Sequence, residues 1–101
     1  MKLMQIVRFP QKKFNERVRD GSAGPKTDAI LEEIKPEAVY FAEMNGQRNA
    51  ILIVDVQEPS KIPSLAEPWF LTFEADVEFH VVMKPDELEK ASLDELGKKW
   101  G

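Results

Sequence analysis

The fold follows from one central stretch, AVYFAEMNGQRNAILIVDV, at positions 38–56. Residues 38–44 are apolar and β-prone, and residues 50–56 have the same character after a short polar interval. Between them, Asn45-Gly46 is the pair best suited to a type I′ turn, because both central positions of that turn need a positive φ. The stretch therefore predicts a β-hairpin.

Alternation along the two strands of this hairpin divides its side chains between two faces of a sheet. One face receives Val39, Phe41, Ala50, Leu52 and Val54. The other receives Tyr40, Ala42, Ile51, Ile53 and Asp55. Both sets are largely apolar, so both faces of the predicted sheet need a cover.

The flanking sequence predicts two more strands and two helices. Residues 2–9 have the composition of a strand that Pro10 ends, and residues 76–83 alternate as a fourth strand. Helical spacing predicts helices over residues 23–34 and 60–73, and places Trp69 and Phe70 of the second helix in the core. The basic stretch between the first strand and the first helix is expected to be irregular.

The resulting order, β-α-β-β-α-β, is that of the split βαβ plan, in which right-handed crossovers place both helices on one face of a four-stranded antiparallel sheet. The other face is left open, and an exposed apolar face of this size usually marks an interface. A second copy of the sheet is the simplest cover and gives a two-fold dimer with a cavity between the sheets. The alternative is that the tail, residues 86–101 with short helical turns, folds back as a lid through Leu93, Leu96 and Trp100.

Size and composition limit the classes of protein to consider. With 101 residues, 43% of them apolar, the chain is expected to form a single domain over residues 1–101. The absence of cysteine excludes disulfides and thiolate metal sites, and a net charge of -4 argues against nucleic acid as the partner. No apolar run is long enough to span a membrane, so a cytoplasmic protein is expected. The locally basic residues 1–26 are expected to form a solvated face.

Several short motifs resemble a known family. They are Lys35-Pro36-Glu37-Ala38-Val39-Tyr40-Phe41, Gly46-Gln47-Arg48, Ile62-Pro63, Ala66-Glu67-Pro68-Trp69-Phe70 and Val77-Glu78-Phe79-His80. With the element order, they resemble uncharacterised bacterial members of the dimeric α/β-barrel superfamily over about residues 1–91. The resemblance implies a ferredoxin-like α+β sandwich, a dimeric α/β barrel and a homodimer, and it carries over no catalytic residue.

One pair of residues is suited to acid/base chemistry. His80 is the only histidine, and Glu78 lies two residues away on the same side of the predicted strand. An imidazole can transfer a proton near neutral pH, and a neighbouring carboxylate would orient it. A histidine that is merely hydrogen-bonded at an interface is the competing interpretation.

Other residues are candidates for contacting a ligand. Tyr40 would offer a hydroxyl to a carbonyl or a phenol, Ile51 and Ile53 would line the apolar part of the cavity, and Asp55 shares their face. Arg8 would complement an acidic ligand if the even-numbered side of the first strand turns inward, a question that its apolar neighbours leave open. A lone histidine and scattered carboxylates predict no metal site and no cofactor, and haem ligation by His80 is an alternative that no attachment motif or second ligand supports.

Three functions are consistent with these observations. The preferred one is a small homodimeric protein that binds a small, partly apolar molecule in the cavity between its sheets. The second is a cofactor-independent oxygenase or isomerase with His80 as acid/base and Glu78 as its orienting group. The third is a structural module whose open sheet face meets a different chain.

Overall fold

A computed structural model describes all 101 residues of the chain. It is an α+β structure whose strands are β1 (Lys2–Arg8), β2 (Ala38–Met44), β3 (Gln47–Asp55) and β4 (Asp76–Val81). Its helices are α1 (Gln11–Arg19), α2 (Ala23–Ile34), α3 (Ile62–Phe73), α4 (Pro85–Glu89) and α5 (Leu93–Trp100), and a short 3₁₀ turn, Pro59–Lys61, precedes α3. No helix is both long and apolar enough to cross a membrane.

The β2–β3 hairpin has the predicted turn and register. Asn45 and Gly46 have φ values of 54° and 74°, so both central residues of the turn are left-handed, as a type I′ turn requires. Met44 lies opposite Gln47, and the pairing continues to Ala38 opposite Ile53. This register confirms the predicted division of the hairpin side chains between the two faces.

The four strands form one antiparallel sheet in the order β2-β3-β1-β4. Both β1 and β2 pair antiparallel with β3, so β1 and β2 are parallel to each other with β3 between them. The same relation holds for β3 and β4 around β1. Each helical crossover therefore joins two parallel strands that are separated by one strand, which is compatible with a ferredoxin-like fold.

One face of this sheet packs against α1, α2 and α3. The core cluster joins strand residues such as Leu3, Val7 and Leu52 to the fully buried Trp69 and Phe73 of α3. Trp69 is thus a core residue, as its helical spacing predicts. Phe70 lies at the margin of the core, because its side chain is 40% exposed.

The structure corrects two local predictions. The basic stretch expected to be irregular forms α1, because Pro10 leads into a run of good helix formers and Phe14 anchors that helix on the core cluster. The fourth strand ends at Val81 rather than at residue 83, and a short helix begins at Pro85.

The tail, residues 84–101, extends away from the sheet. The closely packed pairs of elements all lie within β1–β4, α1–α3 and the 3₁₀ turn. The molecule measures 59 × 29 × 19 Å, and its radius of gyration is 17.0 Å, whereas a compact chain of this length has about 13 Å. Leu93, Leu96 and Trp100 are exposed. The alternative in which this tail seals the open face of its own sheet is therefore wrong for this chain.

Candidate ligand site on the open face of the sheet

The face of the sheet away from α1–α3 is called the open face here. Alternation settles which side of β1 contributes to it, because Leu3, Gln5 and Val7 are buried under the helices. The even-numbered side of β1, including Arg8, therefore lies on the open face. The strand register adds residues from the other strands, and the set comprises Met4, Ile6, Arg8, Tyr40, Ile51, Ile53, Glu78 and His80.

Two rows of side chains cross the open face from β2 to β4. The first row is Tyr40, Ile51, Ile6 and Glu78, and the second is Ala38, Ile53, Met4 and His80. Since neighbouring strands are about 4.8 Å apart, the Cα atoms of Tyr40 and Glu78 are separated by about 14 Å. The predicted site residues thus share one surface, with its apolar part in the centre and ionisable groups at the β4 side.

The ionisable groups at that side form the Arg8–Glu78–His80 cluster. The Nη2 atom of Arg8 lies 3.3 Å from Oε1 of Glu78, and Nε2 of His80 lies 2.8 Å from Oε2 of the same carboxylate. Glu78 and His80 are two residues apart on β4, so strand alternation points them to the same face. Arg8 reaches them from the neighbouring strand β1.

Hydrogen bonding in this cluster favours the ionised form of Glu78. The bond from His80 is the largest influence that lowers the pKa of the Glu78 carboxyl below its ordinary value, and the charge and hydrogen bond of Arg8 act in the same direction. Partial burial of Glu78 acts in the opposite direction and raises the pKa of its carboxyl. The side chains of His80 and Glu78 are 50% and 46% exposed, so in one chain the cluster is in contact with solvent.

Asp55 shares the open face but does not join this cluster. Its Oδ1 atom accepts a hydrogen bond of 3.0 Å from the amino group of Met1. That bond is the largest cause of the lowered pKa of the Asp55 carboxyl. His80 and Glu78 therefore form one ionic pair, and Asp55 forms a separate one with the amino group of Met1. No group of three or more His, Cys, Asp or Glu side chains is close enough to hold a metal ion.

The open face of one chain is a surface rather than an enclosed cavity. Five depressions in the molecular surface have linings that do not include Glu78, His80 or Tyr40. Tyr40 is 66% exposed. A ligand that contacts both Tyr40 and the cluster would need a second surface above it to be enclosed.

A second surface, which the sequence did not predict, lies on the helical side near the hairpin. It is a groove of about 310 Å³ with Phe9, Phe14, Phe41 and Arg48 in its walls. Phe14 was not considered because its segment was expected to be irregular. The spacing of Phe14 and Val18, one helical turn apart, was the available signal of an apolar helix side.

Comparisons with known proteins add no functional assignment. No family model matches the sequence, and a search of curated proteins finds no match. The geometry of the open face is therefore what supports a function.

Proposed function

We propose that this chain forms a two-fold homodimer through its open face, as a ferredoxin-like dimeric α/β barrel, and binds a small, partly apolar molecule between the two sheets. The observation that carries the proposal is the uncovered face itself. It combines an apolar centre with the Arg8–Glu78–His80 cluster, and no part of the same chain covers it.

A second copy is the cover that best fits this face. A contiguous apolar surface in contact with solvent usually marks an interface. The exposed Tyr40 forms such a surface with Met4, Ile6, Ile51 and Ile53, each of which is partly exposed. A two-fold axis makes one patch self-complementary, so a single sequence can supply both halves. Two four-stranded sheets that close into a barrel of eight strands enclose an interior that can hold one small ligand.

The chemistry of the face indicates the class of ligand. The two isoleucines and Met4 favour an apolar or aromatic body. Arg8 and His80 are hydrogen-bond donors at the β4 side, and both already face Glu78. We therefore expect a ligand with a flat apolar body and a carboxylate or carbonyl group, of which benzoate is the simplest representative.

Sedimentation equilibrium tests the dimer. The wild-type chain is expected to sediment at twice its mass of 11.6 kDa. Tyr40→Asp, which places a charge beside the apolar centre of the interface, is expected to give a folded monomer. Leu71→Asp is the matched control, since Leu71 is 81% exposed on α3 and lies outside the open face. A wild-type monomer, or a Tyr40→Asp dimer, would contradict the proposal.

Proton NMR tests the ligand site, because the only histidine gives one set of imidazole resonances to follow. Adding benzoate is expected to shift the His80 resonances in a saturable way, and benzyl alcohol, which lacks the charge, is expected to bind more weakly. Arg8→Gln should reduce the benzoate affinity by about tenfold, the usual effect of losing one charged hydrogen bond. Unchanged His80 resonances at saturating benzoate would argue against this site.

A second candidate function is a cofactor-independent oxygenase or isomerase, favoured by the 2.8 Å contact between His80 and Glu78. When Nε2–H donates to Glu78, Nδ1 is left as an acceptor that can remove a proton from an acidic carbon. Because His80 is half exposed in one chain, this function also needs the second sheet to enclose the site.

Proton abstraction is tested with acetylacetone in D₂O. The C–H proton moves to Nδ1 and a solvent deuteron returns to the same carbon, so deuterium enters the compound without net oxidation. The wild type is expected to accelerate this exchange and His80→Gln to abolish the acceleration while the protein still sediments as a dimer. Equal exchange rates would reject the enzyme. A purified chain that stays monomeric would favour the third candidate, a structural module for a different partner.

A further inference from the structure

The tail contains an apolar surface that nothing in its own chain covers. Leu93, Leu96 and Trp100 follow helical spacing along one side of α5, and their exposed fractions are 58%, 44% and 78%. Helices this short are marginal in isolation and usually derive their stability from packing. Packing of α5 against a separate surface would account for both its apolar side and its stability.

The groove beside the hairpin has the shape and chemistry to accept such a helix. Phe41 is 60% exposed although it points to the helical side of the sheet, and Val18 of α1 is 50% exposed. Arg48 lies over the ring of Phe14, with its guanidinium carbon 4.9 Å from the ring centroid, and forms no ion pair with a carboxylate. The groove is thus aromatic and partly open, and its border carries both Arg48 and Glu43.

Charge complementarity connects the first part of the tail to helix α1. Between residues 86 and 95, the tail has five acidic side chains and one lysine, whereas Lys98 and Lys99 directly precede Trp100. Helix α1, which forms one wall of the groove through Phe14, has four basic side chains and one glutamate. Opposite charge steers two surfaces together and disfavours other orientations.

The groove that receives the tail belongs to another copy of the chain. The tail leaves the sheet after Val81, which lies opposite Leu3 at the beginning of β1. The groove lies at the other end of β1, at Phe9, a distance of about 20 Å along the strand. The tail continues away from the body and gives the molecule its 59 Å length, so its own groove lies behind it.

We propose that α5 of one copy docks in the groove of a second copy, with Trp100 against Phe14 and Phe41 and the acidic part of the tail beside α1. This proposal rests on the homodimer proposed above, with the strands of one sheet running antiparallel to the same strands of the other. A two-fold axis then repeats the docking, so each dimer has two such arms.

Tryptophan quenching by acrylamide tests the docking. Trp69 is fully buried in the core, so the quenchable emission comes from Trp100. In the dimer the quenching constant is expected to be at least threefold lower than in the Tyr40→Asp monomer. Phe41→Asp is expected to expose Trp100 again while the protein still sediments as a dimer, and Leu71→Asp should leave Trp100 protected.

The possible results separate this proposal from the dimer itself. If Trp100 in the dimer is quenched as strongly as in the monomer, the docking of α5 is wrong and the proposed sheet interface is unaffected. Continued protection in Phe41→Asp, or protection in the Tyr40→Asp monomer, also overturns docking in the second copy's groove. A wild-type monomer at every concentration removes both proposals together.

Discussion

Replacing Trp69 with alanine tests where the stability of the fold resides. The indole is fully buried. Its ring centroid lies 5.8 Å from that of Phe9, with the two rings edge to face, and 6.3 Å from that of Phe73. Truncating a buried tryptophan costs about 3–5 kcal/mol through lost burial and the cavity that remains. We expect a loss of about 4 kcal/mol, which is much of the 5–15 kcal/mol that is typical of a small domain.

The indole N–H of Trp69 makes a second variant, Trp69→Phe, informative as well. The Nε1 atom of Trp69 is buried and has no hydrogen-bond acceptor. A buried donor without a partner costs about 1–3 kcal/mol. Trp69→Phe removes this cost together with part of the ring, so we expect it to lose no more than about 1.5 kcal/mol, the usual limit for a well-accommodated hydrophobic replacement.

Urea unfolding followed by far-UV circular dichroism measures both variants. All proteins are compared at one concentration, because association adds to apparent stability. Leu71→Ala is the control, since its exposed side chain is expected to contribute less than about 0.5 kcal/mol. A Trp69→Ala variant within about 1 kcal/mol of the wild type would refute the placement of Trp69 in the core, since core truncations to alanine cost at least about 2 kcal/mol.

Three further variants test other parts of the structure. Gly46→Ala is expected to cost about 1–2 kcal/mol in urea unfolding, because its φ of 74° strains any residue with a Cβ; Gly24→Ala, in a helix, should not be destabilising. Gln5→Leu should change stability by less than about 1 kcal/mol in the same assay, because it removes both the buried Oε1 that lacks a donor and the bond from Nε2 to the Leu65 carbonyl, and a loss above about 2 kcal/mol would contradict this. Glu78→Gln should lower the melting temperature near neutral pH and leave it unchanged in strong acid. The pKa of the Glu78 carboxyl is lowered in the folded chain, so its ionised form stabilises the fold above the ordinary glutamate pKa. This stabilisation is lost as the pH falls through the pKa that Glu78 has in the folded chain. An equal melting-temperature difference in strong acid would contradict this assignment.

The hairpin was predictable because its signals are local. Asn45-Gly46 determines the turn, and the turn determines the register, so the facing of every side chain in β2 and β3 follows. For β1 the same reasoning gives no answer, since Met4 and Ile6 are as apolar as the residues between them. The polar Gln5 is the buried residue, and its amide donates to the Leu65 carbonyl at 2.8 Å. Only the packed helix α3 explains that choice.

In the candidate site too, contacts within one strand could be predicted from the sequence, and contacts between distant strands could not. Glu78 and His80 are neighbours by alternation on one strand, and the structure brings them to 2.8 Å. Arg8 is 70 residues away from Glu78 in the chain, and their contact depends on the pairing of β1 with β4. Sequence alone could not establish that contact, and for the same reason it could not predict that Asp55 would pair with the amino group of Met1.

Hydrogen bonding within the cluster explains why a carboxylate ligand suits a covered open face. Arg8 and Glu78 form an ion pair, and His80 contacts the same carboxylate. Covering the face with a second sheet would remove water from these groups, and a buried N–H group without an acceptor is costly. A bound carboxylate would accept from the N–H groups of Arg8 and His80 in place of that water, and the apolar rows would hold the rest of the molecule.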